Sequence, residues 1–200
     1  MPRTIVITGV TSGFGRATAA VFIKEGWNVA GTGRRKERLD ALKAEWGDAF
    51  LPLELDMRDK SAVFAALERL PAPWSEPDVL VNNAGLALGL APSQEADLDD
   101  WETMIDTNIK GLLYATRALL PGMTARNRGH IVNLGSTAGT YPYKGGNVYG
   151  GTKAFVKQFS LNLRTDLLGT AVRVTNIEPG LCESEFSLVR FKGDRARADK

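Results

Sequence analysis

A strand, a glycine turn and a helix follow one another without interruption at the start of this chain, and that succession limits the fold more than anything else in it. Thr4-Ile5-Val6-Ile7-Thr8 is a short β-branched run, Gly9-Val10-Thr11-Ser12-Gly13-Phe14-Gly15 stops it, and Ala17, Ala20, Val21 and Lys24 continue at helical spacing to Gly26. Such a turn aims free backbone N–H groups and the positive end of the helix dipole at an anion, and its glycines let a pyrophosphate come close to the backbone. The spacing is G-x-x-x-G-x-G, and the Gly-Lys-Ser/Thr of a P-loop is absent. Gly9, Thr11, Ser12, Gly13, Phe14 and Gly15 are therefore candidate cofactor contacts.

The same alternation continues along the chain. Strands are expected at 28–32, 50–55, 78–81, 129–134 and 171–177, with helical patterns over 36–46, 62–70, 98–123 and 149–168 between them. Alternating strands and helices imply crossovers and a parallel sheet buried on both faces. The expected fold is α/β, a Rossmann-type doubly wound parallel sheet in three α/β/α layers, as one domain over residues 1–180, with 181–200 a flap over the ligand edge. Two hundred residues, 44% hydrophobic and 24% charged, suffice for one such core. Ligands of these sheets collect beyond the carboxyl ends of the strands, so Gly9, Arg34, Asp56, Asn83 and Ser136 should share one edge.

Two places on that edge carry specific chemistry. Strand 28–32 ends in Gly33-Arg34-Arg35-Lys36, where an NAD-binding unit would carry an acid for the ribose 2′-hydroxyl. Arg34 and Arg35 suit a 2′-phosphate instead, which points to NADP, although Glu37 could serve a ribose and the basic run could simply be a solvated helix start. Tyr149 and Lys153 stand four residues apart at the head of a helical pattern and so share a face. A fixed cation beside a phenol favours the phenolate, which makes the pair a candidate general acid/base. Gly150 and Gly151 between them cost a helix about 1 kcal/mol each relative to alanine, so close approach of cofactor or of a neighbouring helix is expected there. Asn108 interrupts a helical run for which asparagine is poorly suited. His130, the only histidine, has no charge partner in sequence, so neither a histidine triad nor a metal site is expected.

Composition narrows the partners. Twenty-five basic against 23 acidic residues give no global pull toward nucleic acid or an anionic membrane, and no apolar run approaches the length of a membrane span. One cysteine, Cys182, and the lack of a basic-then-apolar leader suit a cytoplasmic protein.

Taken together, Thr8-Gly9-x-x-x-Gly13-x-Gly15, Asn82-Asn83-Ala84-Gly85, Asn108, Ser136, Tyr149-x-x-x-Lys153 and Pro179-Gly180 resemble, in order and spacing, the short-chain dehydrogenase/reductases. More narrowly, Thr32-Gly33-Arg34-Arg35, Leu86-Ala87-Leu88-Gly89, the run from Trp101 to Asn108 and that from Phe155 to Thr170 look like bacterial NADP-dependent serine and 3-hydroxy acid dehydrogenases. The resemblance implies that Tyr149 exchanges a proton with the substrate oxygen. It makes Lys153 the group that lowers the phenol pKa and holds the ribose, Ser136 the partner of the substrate oxygen, and Asn108 the holder of a relay water. It places Asp56 and the Asn83-Ala84-Gly85 backbone around adenine, with Pro179 and Gly180 also against the cofactor. It also implies a homotetramer and a final strand and helix beyond Lys200. After Pro179-Gly180, Ser184 could replace a threonine usual in the family. For the substrate it implies L-serine or a short 3-hydroxy acid, with Arg190, Lys192 or Lys144 as candidate carboxylate partners. Broad carbonyl reduction, or a non-catalytic NADP sensor, is the alternative.

Overall fold

The computed structural model describes residues 3–182 and 185–198. Six strands, β1 (Thr4–Ile7), β2 (Asn28–Gly33), β3 (Phe50–Glu54), β4 (Val79–Asn82), β5 (Gly129–Leu134) and β6 (Val172–Ile177), form one sheet in the order β3-β2-β1-β4-β5-β6, and every neighbouring pair is parallel. Helices α1 (Gly13–Lys24), α2 (Lys36–Trp46), α3 (Lys60–Leu67), α4 (Leu98–Ile105), α5 (Leu112–Ala125) and α6 (Asn147–Asp166) connect them.

The layering follows from strand alternation. Along β1, Ile5 and Ile7 point to one face and join Val29 and Phe50 with Ala19 of α1 and with Leu39 and Leu42 of α2. Val6 points to the other face and packs with Leu80 and Ile131 against Val63 of α3, Ala115, Leu119 and Met123 of α5, and Leu163 of α6. The sheet is thus covered on both sides, as the near-continuous apolar strands require. Burial is complete where the layers meet: all four residues of β1 and all six of β2 are buried.

Two expectations are refined. The helical pattern over 98–123 is three segments, α4, a π-helical turn at Asp106–Gly111 and α5, with Pro121 inside α5. Asn108 lies in the π-turn, and Gly111 of that turn lets it approach β3's exit, since a Cβ there would stand 2.9 Å from Met57 Cβ. Where a flap was expected, α7 (Phe186–Arg190) and α8 (Arg195–Ala198) form. Phe186 packs on an apolar cluster of Leu86, Ala87, Met104 and Tyr149, and Gly89 N donates to Arg190 O at 2.9 Å.

Candidate active site

The strand order reverses between β1 and β4, and a cavity of about 810 Å³ opens there beyond the carboxyl ends of the strands. Each strand delivers residues to it: Gly9 after β1, Arg34 and Arg35 after β2, Asp56 after β3, Asn83, Ala84 and Gly85 after β4, Ser136 after β5, Pro179 and Gly180 after β6. Thr11, Ser12, Gly13 and Phe14 of the turn line it as well, as do Tyr149 and Lys153. Gly15 and Asn108 do not; both act from behind the wall. Ser184 lies outside the described residues.

The glycine turn is held by its own geometry and by a clamp. Gly9 has φ +76°, which a side chain would strain, and a Cβ on Gly15 would collide with the Gly9 carbonyl oxygen. Thr8 Oγ1 accepts from Asn83 N at 3.0 Å and Ala84 N at 2.9 Å, while Asn83 Nδ2 donates to the carbonyls of Thr8 (2.8 Å) and Gly9 (2.9 Å). The Asn83 amide nitrogen is therefore spent on fixing the turn.

At the other end of the turn Arg35 gathers the polar groups. Its Nη2 donates to Thr11 Oγ1 at 2.9 Å and Ser12 Oγ at 3.1 Å, and Nη1 pairs with Glu185 at 3.1 Å. Arg38 joins it, donating to Thr11 O and to both Glu185 oxygens at 2.9 Å. The two cations at this corner are thus Arg35 and Arg38, whereas Arg34 is exposed on the rim beside Asp56. Sequence reading missed Arg38, although its position three residues beyond Arg35 puts both on one helix face. Glu185 carried no such signal, lying 150 residues away. Asp56 is held by Arg58 at 2.7 Å, whose hydrogen bonds keep the carboxyl below its ordinary range.

Helix α6 presents Tyr149 and Lys153 on its buried face, and their geometry revises the expected electrostatics. Lys153 Nζ donates to Leu134 O at 2.7 Å and lies 5.9 Å from the Tyr149 ring centroid. Burial pushes the Lys153 pKa down to about 8. Burial also raises the Tyr149 phenol, while the Ser136 hydroxyl pulls it back. Desolvation dominates the Tyr149 shift, and the Lys153 ammonium is engaged by a main-chain carbonyl. Ser136 caps a short turn, accepting from Ala138 N at 3.1 Å.

Both amide hydrogens of Asn108 are used. Its Oδ1 accepts from Leu86 N at 2.8 Å, and its Nδ2 donates to Leu86 O at 2.8 Å and Thr152 Oγ1 at 3.1 Å. It ties the π-turn to the loop after β4 and to α6, and its Oδ1 keeps one lone pair. Of the two helical glycines, Gly150 meets the expected close approach, a Cβ there standing 2.9 Å from Ala138 O, whereas Gly151 faces open space.

The third wall of the cavity comes from the 143–144 loop and α7. Arg190 Nη2 donates to Tyr143 Oη at 2.6 Å, and its guanidinium carbon is 5.3 Å from the Tyr149 ring centroid. Lys192 is turned away and paired with Asp100 at 2.8 Å, so it is not positioned for a ligand in this cavity. Lys144 lines the rim and is exposed. Tyr143 was not singled out from sequence.

The profile of the short chain dehydrogenase family matches residues 3–193. The chain belongs to that family. Among relatives, it is 63% identical over 197 residues to the NADP-dependent 3-hydroxy acid dehydrogenase YdfG of Salmonella typhi, covering 98% of this chain and 79% of that protein. It is 59% identical to the serine 3-dehydrogenase of Rhizobium radiobacter over 199 residues, all of this chain and 80% of the relative. A solved closed form of serine dehydrogenase complexed with NADP+ superposes with a TM-score of 0.96 at 61% identity, over 98% of this chain and 79% of that one. Serine dehydrogenase from Escherichia coli gives 0.87 at 62% identity, over 89% and 82%. As a short-chain dehydrogenase, the chain has the six-stranded parallel sheet expected of it, with the candidate residues at the switch point.

Proposed function

We infer that this protein is an NADP-dependent dehydrogenase that oxidises, reversibly, the 3-hydroxyl of L-serine or a related short 3-hydroxy acid, with Tyr149 as general acid/base. The observation that carries the reading is the convergence of Tyr149, Ser136 and Lys153 at one end of a cavity whose other end is the Gly9–Gly15 turn with Arg35 and Arg38. Relatives about 60% identical bear that activity in their names, and one binds NADP+.

The residues fit this cofactor. Gly9 and Gly15 pack so closely on Asn83, Ala84 and the Gly9 carbonyl that no side chain fits, which holds the turn tight at the cavity, and Arg35 with Thr11 and Ser12 offers the donor set a 2′-phosphate needs. When bound, NADP supplies the hydride-accepting carbon. The chain's own residues do the rest: Ser136 Oγ donates to the substrate oxygen, Tyr149 Oη takes its proton, and the Lys153 ammonium beside them favours the phenolate once a ligand draws it from Leu134 O. A relay water would rest on Asn108, whose Oδ1 keeps a lone pair beyond its bond from Leu86 N.

Exposed Leu161 on α6, Leu168 just beyond its end, Ile105 at the end of α4, and the open face at Gly151 support a homotetramer through these helices, which light scattering would test. No helix among the described residues is long and apolar enough to cross a membrane. We place the protein in the cytoplasm, where the exposed thiol of Cys182 would stay reduced. Residues 181–200 serve as the substrate loop of the single domain.

Steady-state rates with NADP and L-serine or 3-hydroxypropionate, beside NADPH with a panel of neutral ketones, test the reading. We expect turnover of the acids; activity confined to neutral ketones would replace it with a broad carbonyl reductase.

A further inference from the structure

Among the described cations of residues 185–198, Arg190 alone lines the cavity that holds Ser136 and Tyr149. Lys192 sits on Asp100 and Asp97, and Glu185 neutralises Arg35 and Arg38 across the gap. Arg190, by contrast, pairs with no carboxylate among the described residues. Its guanidinium carbon lies 5.3 Å from the ring centroids of Tyr149 and Phe186 and 5.6 Å from that of Tyr143, a three-sided aromatic box that holds a cation by ring quadrupoles. One hydrogen of Nη2 goes to Tyr143 Oη at 2.6 Å. The Nε–H is buried and has no acceptor among the described residues. A buried donor without a partner is costly, and the guanidinium keeps N–H groups beyond the one given to Tyr143 with which to bind a carboxylate.

Position matches this chemistry. Arg190 lines the same cavity as Ser136 and Tyr149 and stacks on the Tyr149 ring itself. In a 3-hydroxy acid only one methylene or substituted carbon separates the carbinol carbon from the carboxyl carbon. A substrate with its hydroxyl between Ser136 Oγ and Tyr149 Oη therefore carries its carboxylate within a side chain's breadth of the Tyr149 ring. Lys144, the other cation on this rim outside the nucleotide corner, is exposed in a loop with its charge in water, where an ion pair gains little.

We propose that Arg190, set by Tyr143 and Phe186, binds the substrate carboxylate and makes the site selective for free acids over neutral alcohols. The proposal rests on the dehydrogenase reading above and names its specificity residue. It also gives α7 a role: a carboxylate that bridges Arg190 and the catalytic pair fastens this helix over the substrate.

The test compares wild type with Arg190→Met, Arg190→Lys and Lys144→Ala on 3-hydroxypropionate and its methyl ester, with NADPH binding followed by fluorescence. For Arg190→Met we expect KM for the free acid to rise roughly 100-fold, as when one partner of a buried charge pair is truncated. The ester should lose far less in kcat/KM than the acid, only what the Arg190 charge does for the Tyr149 phenol, and NADPH should keep its affinity. Arg190→Lys should recover part of the acid preference, having the charge without the fork, and Lys144→Ala should leave it intact. Equal losses on acid and ester, or an acid preference that survives Arg190→Met, overturns the assignment. A wild type that turns over ketones but no 3-hydroxy acid overturns the dehydrogenase reading first, before any variant is compared.

Discussion

Tyr149 and Lys153 were legible in sequence as a pair with proton-transfer chemistry, because four residues on a helix is a contact. The direction of their shifts was not, since it depends on Leu134 O and on burial, which spacing does not encode. The consequence can be measured. With a folded-state pKa of about 8 against an ordinary 10.5, the unfolded chain holds the Lys153 proton more tightly between those values. Below pH 8 the cost of the buried ammonium is fully present, and it is relieved as pH rises toward 10.5. Relative to Lys153→Met, which does not titrate, wild type should therefore gain stability by about 1.4 kcal/mol per pH unit across that window. Chemical denaturation of both proteins at pH 7 and 10 checks this, and a pH-independent difference would mean that Lys153 is not desolvated. The basic run after β2 was likewise visible, but not that Arg35 and Arg38 rather than Arg34 form the corner. Replacing Arg34 and Arg35 together by alanine should reduce kcat/KM for NADP by about 100-fold while changing that for NAD little. An unchanged NADP/NAD ratio would reject the 2′-phosphate site.

Elements were read well where one periodicity sufficed. Helix α2 and strand β5 have the bounds expected of them, and the strand, glycine turn and α1 follow as read. The reading failed where tertiary contacts override local pattern. Asn108 looked like a flaw in one long helix; it is the centre of a π-turn whose amide binds both main-chain groups of Leu86. That contact spans 22 residues and leaves no periodic trace. Asn108→Ala strands the buried N–H and carbonyl of Leu86, while Thr152 Oγ1 loses a donor but keeps its bond to Tyr149 O, so it should destabilise the fold by about 2–4 kcal/mol. Thermal unfolding measures it, and a change within a few tenths of a kcal/mol would show that the amide is not holding the loop after β4. Helix α7 was missed for a different reason. Its five residues carry too little pattern, and what fixes it is packing of Phe186 on the Leu86–Tyr149 cluster.

In the molecule as a whole, alternation of strands and helices implied a parallel sheet, and the sheet has six parallel strands. The order β3-β2-β1-β4-β5-β6 does not follow from alternation alone, yet it decides function, because it separates the exits of β1 and β4 and opens the cavity between them. One edge then holds the turn, the arginine corner and the tyrosine, with α7 along the same cavity. This arrangement is tested most directly by NADPH formation from L-serine or 3-hydroxypropionate in wild type and Tyr149→Phe, with NADPH affinity measured on the same preparations. Removing the proton carrier should lower kcat by roughly 10³-fold or more with affinity unchanged. A Tyr149→Phe protein that turns over at the wild-type rate, or a wild type that binds NADPH and oxidises neither acid, would contradict it.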